Sequence, residues 1–189
     1  MKVGRPYSLG VIAACTAALL LSMPLAAQPI TSAPEHSIKA AYLYNFAAYI
    51  RWPEGVLGGP TEPLAIGVFG NDVLAGELER ITRDRQVQGR RIEVRQLHAD
   101  DSLSGLGMLF VAEGLSDALP KLAAEARTRS VLLVSESGDA LRAGSVINFL
   151  MIDHRVRFEV SLAAAEASGL TISSRLLAVA EHVIPDGGG

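Results

Sequence analysis

The sequence is poor in cysteine and in aromatic residues. Its 189 residues include a single cysteine, Cys15, and only 5% are Phe, Trp or Tyr. Cys15 lies in an N-terminal segment with the pattern of an export signal, so the mature chain is predicted to hold no thiol. This excludes a disulfide framework, cysteine catalysis and cysteine-ligated zinc in the mature protein. Since 49% of the residues are hydrophobic, a chain of this length can stabilise one domain through its core alone.

The chain also lacks any cluster of positive charge beyond its first residues. Residues 1–27 show two basic side chains, an uncharged apolar run, a proline and then small residues, the layout of a secretory signal peptide. We predict export with cleavage near Ala27. Two alternatives stay open: attachment of a lipid at Cys15, and retention of the apolar run as a membrane anchor. Cleavage leaves 15 basic and 20 acidic residues, a net charge of −5, which argues against a nucleic acid partner.

No catalytic motif is present either. Four acidic residues fall where predicted parallel strands end, the usual place for a ligand: Asp72, Glu113, Glu136 and Asp139. Helix N-termini there favour an anion, but these carboxylates repel phosphate and the chain has no glycine-rich phosphate loop. The histidines are scattered, and no serine has the setting of a nucleophile. We therefore predict no catalytic activity, no metal and no cofactor, with an enzyme as the less favoured hypothesis.

What is present is the alternation of an α/β fold. Apolar runs of strand length, such as Leu64–Phe69, alternate with segments of helical periodicity. This pattern predicts a mostly parallel sheet flanked by helices on both faces. Two further runs joined tightly at Asp153 and His154 predict an antiparallel hairpin near the C-terminal end, although this turn lacks the usual glycine.

Prolines, glycines and short polar residues mark the predicted boundaries along the chain. The predicted segments are a signal peptide at 1–27, a flexible lead at 28–36, one α/β domain at 37–184 and a flexible tail at 185–189. The domain is predicted to begin with a helix that Ser37 caps and that runs to about Arg51. A last helix is predicted from Ser173 to about His182.

The few aromatic residues are concentrated near the start of the domain. Five of them lie between Tyr42 and Trp52. Helical spacing puts Tyr42, Phe46 and Tyr49 on one face, so all three are predicted to belong to the core. Trp52 stands at the predicted helix end and is predicted to be a surface contact, because tryptophan is enriched at binding hot spots.

The predicted hairpin has two unlike faces. Arg155, Arg157 and Glu159 alternate with apolar residues, so one face is apolar and the other carries charge. Asn148 is a polar residue within the otherwise apolar first strand. Two interpretations stay open: a solvated sheet face with ordinary cross-strand pairs, or a docking edge for a partner.

These segments together resemble the YfiR family. The resemblance covers about residues 37 to 181 and depends chiefly on four motifs in this order and spacing: KAAYLYNF at 39–46, INF at 147–149, RFE at 157–159 and SSRLL at 173–177. It implies a small exported α/β protein of the periplasm whose family pattern contains no catalytic residues.

The resemblance also implies a partner. In the best-known branch, the protein binds the periplasmic sensor domain of a membrane diguanylate cyclase, which lowers cyclic di-GMP and biofilm formation. It further implies release by an outer-membrane lipoprotein of the OmpA type, and a homodimer. The redox switch of the best-known member cannot be carried over, because the mature chain has no cysteine.

We predict that the partner contacts Arg157 and Glu159 of the hairpin, together with Ser173, Ser174, Arg175 and Trp52. The competing hypothesis is a periplasmic sensor that binds a small ligand, or an accessory protein for transport.

Overall fold

A computed structural model describes the first residue and residues 34–185. The predicted signal peptide, most of the predicted lead and residues 186–189 lie outside this part. Within it, no helix is long and apolar enough to cross a membrane.

Helices and strands follow one another largely as the sequence predicts. The helices are α1 (Glu35–Tyr49), α2 (Asp72–Thr82), α3 (Leu119–Thr128), α4 (Leu162–Ala167) and α5 (Ser174–Leu177), with a 3₁₀ segment (Glu113–Ala118) before α3. The strands are β1 (Ile50–Arg51), β2 (Leu64–Phe69), β3 (Gln86–Val87), β4 (Arg90–Leu97), β5 (Leu106–Val111), β6 (Leu132–Ser135), β7 (Ile147–Ile152), β8 (Arg155–Ser161), β9 (Thr171–Ile172) and β10 (His182–Ile184).

Eight strands form one sheet in the order β10-β8-β7-β6-β5-β2-β4-β3. The strands from β7 across to β4 run parallel, β7 and β8 form the antiparallel hairpin, and β10 runs parallel to β8. A separate two-stranded sheet joins β1 to β9. The predicted fold class, a mostly parallel sheet with a late antiparallel hairpin, is confirmed.

Alternating side chains of the central strands enter two separate cores. Ile66 and Val68 of β2 pack with α1 and α2 on one face, while Ala65 packs with α3 on the other. This division follows from the two-residue period of a strand. Helices therefore cover both faces, as predicted.

The face of α1 that is buried in the core is rotated slightly from the predicted face. Phe46 is fully buried and Tyr42 packs partly buried against the same core, but Tyr49 is 38% exposed. The prediction for Tyr49 was wrong, because the buried face of α1 is centred on Leu43 and leaves Tyr49 at its margin. The rings of Tyr42 and Phe46 meet those of Phe149 and Phe158, with centroids 5.0–6.0 Å apart.

The predicted ends of the domain are corrected at two places. The first helix begins at Glu35, after Pro34, and the hydroxyl of Ser37 bonds to Glu77 of α2 instead of capping α1. The last helix, α5, stops after one turn; residues 178–181 form a turn, and strand β10 begins at His182, where the helix was predicted to end. The N–H of Glu181 bonds to the carbonyl of Phe158, which directs the chain alongside β8.

Candidate functional site

The outer face of the β7–β8 hairpin carries the charges that the sequence predicts. Val156 and Phe158 are buried, whereas Arg157 and Glu159 are partly exposed on the opposite side. Residues 153 and 154 both adopt positive φ, which gives a two-residue turn whose twist suits a hairpin even without glycine. The predicted alternation of the two faces is confirmed.

A line of buried polar side chains ends at this face. Asn148, only 1% exposed, lies opposite Glu159 in the ladder and donates from Nδ2 to Glu159 Oε1 at 2.9 Å. Its Oδ1 lies 3.3 Å from the hydroxyl of Ser135, which lies 2.9 Å from the hydroxyl of Ser145. Both contacts are hydrogen bonds if the hydroxyl of Ser145 donates to that of Ser135 and the hydroxyl of Ser135 donates to Asn148 Oδ1. Among the described residues, every buried side-chain nitrogen and oxygen has a partner.

The sequence contained a signal for this contact. A two-residue turn fixes the register of a hairpin, so the turn at 153–154 already places Asn148 opposite Glu159. An asparagine within an apolar strand and a glutamate on its partner then predict a cross-strand hydrogen bond.

Strand β10 changes the nature of the hairpin edge. It pairs with residues 159–161 of β8, so this part of the β8 backbone is not free to add a partner strand. The docking hypothesis stays a prediction, and we apply it to the charged outer face of the hairpin, called the docking face below. Glu181, just before β10, lies 3.8 Å from Arg157, and His182 lies opposite Glu159 in the ladder.

The second predicted group of contact residues lies on the other side of the sheet. The N–H of Ser173 donates to the carbonyl of Tyr49 at 2.9 Å, and its hydroxyl caps α5 by accepting from the N–H of Arg175. Ser174 and Arg175 are exposed. The next residue, Leu176, is buried in the core that α1 covers. The six predicted contact residues therefore do not form one continuous surface.

Trp52 is anchored to the protein interior. Its Nε1 donates to the carbonyl oxygen of Gly107 at 2.8 Å, and the indole packs partly buried against the core beneath α1. This geometry gives Trp52 a structural role, while its predicted role as a partner contact stays a prediction, since the side chain is partly exposed.

Replacing Trp52 by phenylalanine is expected to lower the free energy of unfolding by about 1–2 kcal/mol, because one hydrogen bond and part of the packing of the indole are lost. Urea denaturation followed by far-UV circular dichroism measures this, since the variant has no tryptophan fluorescence. Tyr49→Phe, which removes an exposed hydroxyl, serves as the control and is expected to match the wild type. A Trp52→Phe midpoint equal to the wild-type value would contradict the anchoring role.

The carboxylates at the strand ends have a cation that sequence analysis missed. Lys39 of α1 is 9% exposed and forms ion pairs with Glu35 and Glu136. Burial tends to lower the pKa of Lys39, but hydrogen bonds to Glu136 and Glu35 outweigh it and raise this pKa. Glu136 also accepts from the N–H of Glu113 at 3.4 Å. A lysine on the same helical face as Phe46 was the sequence signal for this pair.

The four acidic residues predicted at the strand ends differ in their partners. Glu136 pairs with Lys39 and accepts from the backbone N–H of Glu113, whose own carboxylate takes no part in this network, and Asp139 lies 3.7 Å from Arg142. Across residues 34–185, no three His, Cys, Asp or Glu side chains are placed to hold a metal ion.

Comparison with solved structures shows similarity of fold. A conserved domain protein from Vibrio cholerae O1 biovar El Tor matches with a TM-score of 0.54 and 11% identity, over 79% of this chain and 60% of that one. An ABC domain from Streptococcus pneumoniae, solved in complex with L-Trp, matches with a TM-score of 0.48 and 12% identity, over 64% and 55% of the two chains. The chain thus spans about 60% of the first structure's length.

Sequence comparison shows the family. No curated protein is significantly similar to this chain. The model of the YfiR/HmsC-like family matches residues 36–181, which include α1, the hairpin with its Asn148–Glu159 contact, and α5. This chain belongs to the YfiR/HmsC-like family.

Proposed function

We propose that this protein binds the periplasmic sensor domain of an inner-membrane diguanylate cyclase and represses the enzyme. Membership of the YfiR/HmsC-like family carries the proposal, because this is a regulatory family of periplasmic proteins that act on cyclic di-GMP signalling. Repression lowers cyclic di-GMP and, with it, biofilm formation. By the same resemblance, we include release by an OmpA-type outer-membrane lipoprotein and a homodimer in the proposal.

The charged face of the hairpin is the proposed contact surface. It presents Arg155, Arg157 and Glu159 from a strand whose other side chains are locked in the core, so the charges stand on a rigid support. Rigid presentation lowers the entropy that binding costs. The exposed residues Ser174 and Arg175 form a second, separate contact in this proposal.

The ion pairs at the strand ends support a non-catalytic role. A general acid or base needs access to a substrate proton, whereas Glu136 is held by Lys39 and by a backbone N–H. The mechanism we propose is therefore one of binding alone: occupation of the sensor domain holds the cyclase in its inactive state.

Capture from detergent-solubilised membranes tests this function. The bait is the protein purified from cells that export it, and mass spectrometry identifies what it retains. We expect a membrane protein with a diguanylate cyclase domain, whose rate of cyclic di-GMP synthesis in lipid nanodiscs falls when the protein is added. Absence of a cyclase, or an unchanged rate, would overturn the proposal.

Charge reversal locates the contact. Arg157→Glu is expected to weaken binding to the cyclase about tenfold or more, because like charges then meet across the interface. Arg91→Glu is the matched control: Arg91 is exposed on β4, five strands away from β8 in the sheet. Equal affinity of the two variants would exclude the hairpin face as the contact.

A further inference from the structure

We infer that Asn148 is a positioning residue that holds Glu159 at the docking face, ready to receive a lysine or arginine side chain of the cyclase. This inference rests on the proposed function and specifies the chemistry of its contact. Three observations carry it: the burial of the polar line, the single hydrogen bond that reaches the surface, and the lack of a cation beside Glu159.

Burying this line of polar side chains costs folding free energy, which suggests that the line serves a function. Asn148 is 1% exposed, and Ser135 and Ser145 are fully buried, in strands that are otherwise filled by apolar side chains such as Ile147 and Phe149. Polar groups in such surroundings need every hydrogen bond satisfied, whereas apolar side chains would fill the same space without that demand. The side-chain amide of Asn148 finds an acceptor only in Glu159, at the surface.

The hydrogen bond at the end of the line fixes the carboxylate. Asn148 Nδ2 donates to Glu159 Oε1 at 2.9 Å, a bond strengthened by the negative charge of its acceptor. Because Asn148 is itself held by Ser135, the amide cannot turn away without losing two bonds. Oε2 accepts no bond from the other side chains of residues 34–185, so it is open to a donor from outside.

The neighbouring cations do not neutralise Glu159. Arg157, two residues away on β8, lies 3.8 Å from Glu181 instead. None of the ion pairs among residues 34–185 joins Glu159 to Arg155 or His182. A partly exposed carboxylate that is held in place and has no cation is complementary to a basic side chain of a partner.

Holding the carboxylate in advance strengthens binding. A glutamate that is free in solution loses rotamer freedom when a partner fixes it, and this loss weakens the complex. Asn148 fixes the side chain before the partner arrives. Without Asn148, affinity for the cyclase is expected to fall about tenfold even though Glu159 is still present.

A double-mutant cycle separates positioning from a merely structural role. The four proteins are the wild type, Asn148→Leu, Glu159→Gln and the double variant, and the measurement is the Kd for the full-length cyclase in lipid nanodiscs. Glu159→Gln keeps an oxygen that accepts from Asn148 but removes the charge. We expect each single variant to bind about tenfold more weakly, and the double variant to bind no more weakly than Glu159→Gln.

The outcomes are distinct. The positioning role is overturned if Asn148→Leu binds the cyclase as tightly as the wild type. It is also overturned if Asn148→Leu raises the Kd by the same factor with Glu159 and with Gln at position 159. In both cases the proposed function stands. No binding of the wild type to any cyclase overturns both. If Asn148→Leu fails to fold, as judged by its urea midpoint, Asn148→Ser replaces it, because a serine hydroxyl is too short to reach Glu159.

Discussion

Replacing Phe46 by alanine is expected to lower the free energy of unfolding by about 3–5 kcal/mol. Phe46 is fully buried, and its ring centroid lies 5.0 Å from that of Phe158 and 5.7 Å from that of Phe149. The alanine variant leaves a cavity between α1 and the hairpin, in a region where close-packed rings cannot easily collapse to fill it. Urea denaturation followed by Trp52 fluorescence and far-UV circular dichroism measures the loss.

Tyr49→Ala is the matched control for this prediction. Helical spacing alone puts Tyr49 and Phe46 on one face, but Tyr49 is 38% exposed in the structure. Its replacement is expected to cost less than about 1 kcal/mol, since little buried surface is lost. Similar losses at the two positions would contradict the orientation of α1.

Replacing Lys39 by methionine is expected to lower the free energy of unfolding by about 3–5 kcal/mol as well, for an electrostatic reason. The side chain of Glu136 is only 13% exposed, and the substitution leaves its carboxylate without a cation. Methionine fills much of the same volume, so the loss reports mainly on charge. A double variant, Lys39→Met with Glu136→Gln, is expected to recover most of the loss, because no charge is then stranded.

An exposed ion pair provides the comparison. Arg142 and Asp139 lie 3.7 Å apart with side chains 89% and 87% exposed, so Arg142→Met is expected to change stability little. Equal effects of Lys39→Met and Arg142→Met would mean that burial does not strengthen the Lys39 pair.

The raised pKa of Lys39 fixes the pH at which its pair contributes. Because this pKa is higher in the folded than in the unfolded protein, the stabilisation is fully present below pH 10.5 and disappears as the pH rises through the folded value. The difference in stability between the wild type and Lys39→Met should therefore shrink in alkaline solution above that pH. A constant difference would assign the loss to packing.

Much of the fold could be predicted because its central strands are almost uniformly apolar. Residues 64–69 and 106–111 are short apolar runs between turn residues, and burial on both faces of a parallel sheet requires that pattern. The hairpin was equally clear, since strict alternation from Arg155 onwards shows which side chains enter the core.

The parts that could not be predicted depend on contacts between distant residues. The inward face of α1 includes Lys39, whose burial depends on ion pairs with Glu35 and with Glu136, the residue after β6. Strand β10 has three residues, too few for periodicity to distinguish strand from helix, and its pairing with β8 decides its conformation. The exposed position of Glu159 on the hairpin could be predicted, and its role as a contact stays a prediction; the link from Asn148 to buried Ser135 depends on strands that are distant in sequence.

The ring cluster beneath α1 determines how this chain can fold. Phe46 from the first helix is covered by Phe149 and Phe158 from the late hairpin, and Ile50 pairs with Ile172. Such contacts give a high relative contact order, and the entropy of closing long loops is lost before burial compensates for it. A fragment that stops before the hairpin leaves Phe46 uncovered. We therefore expect the domain to fold slowly and as one cooperative unit, with neither half stable alone.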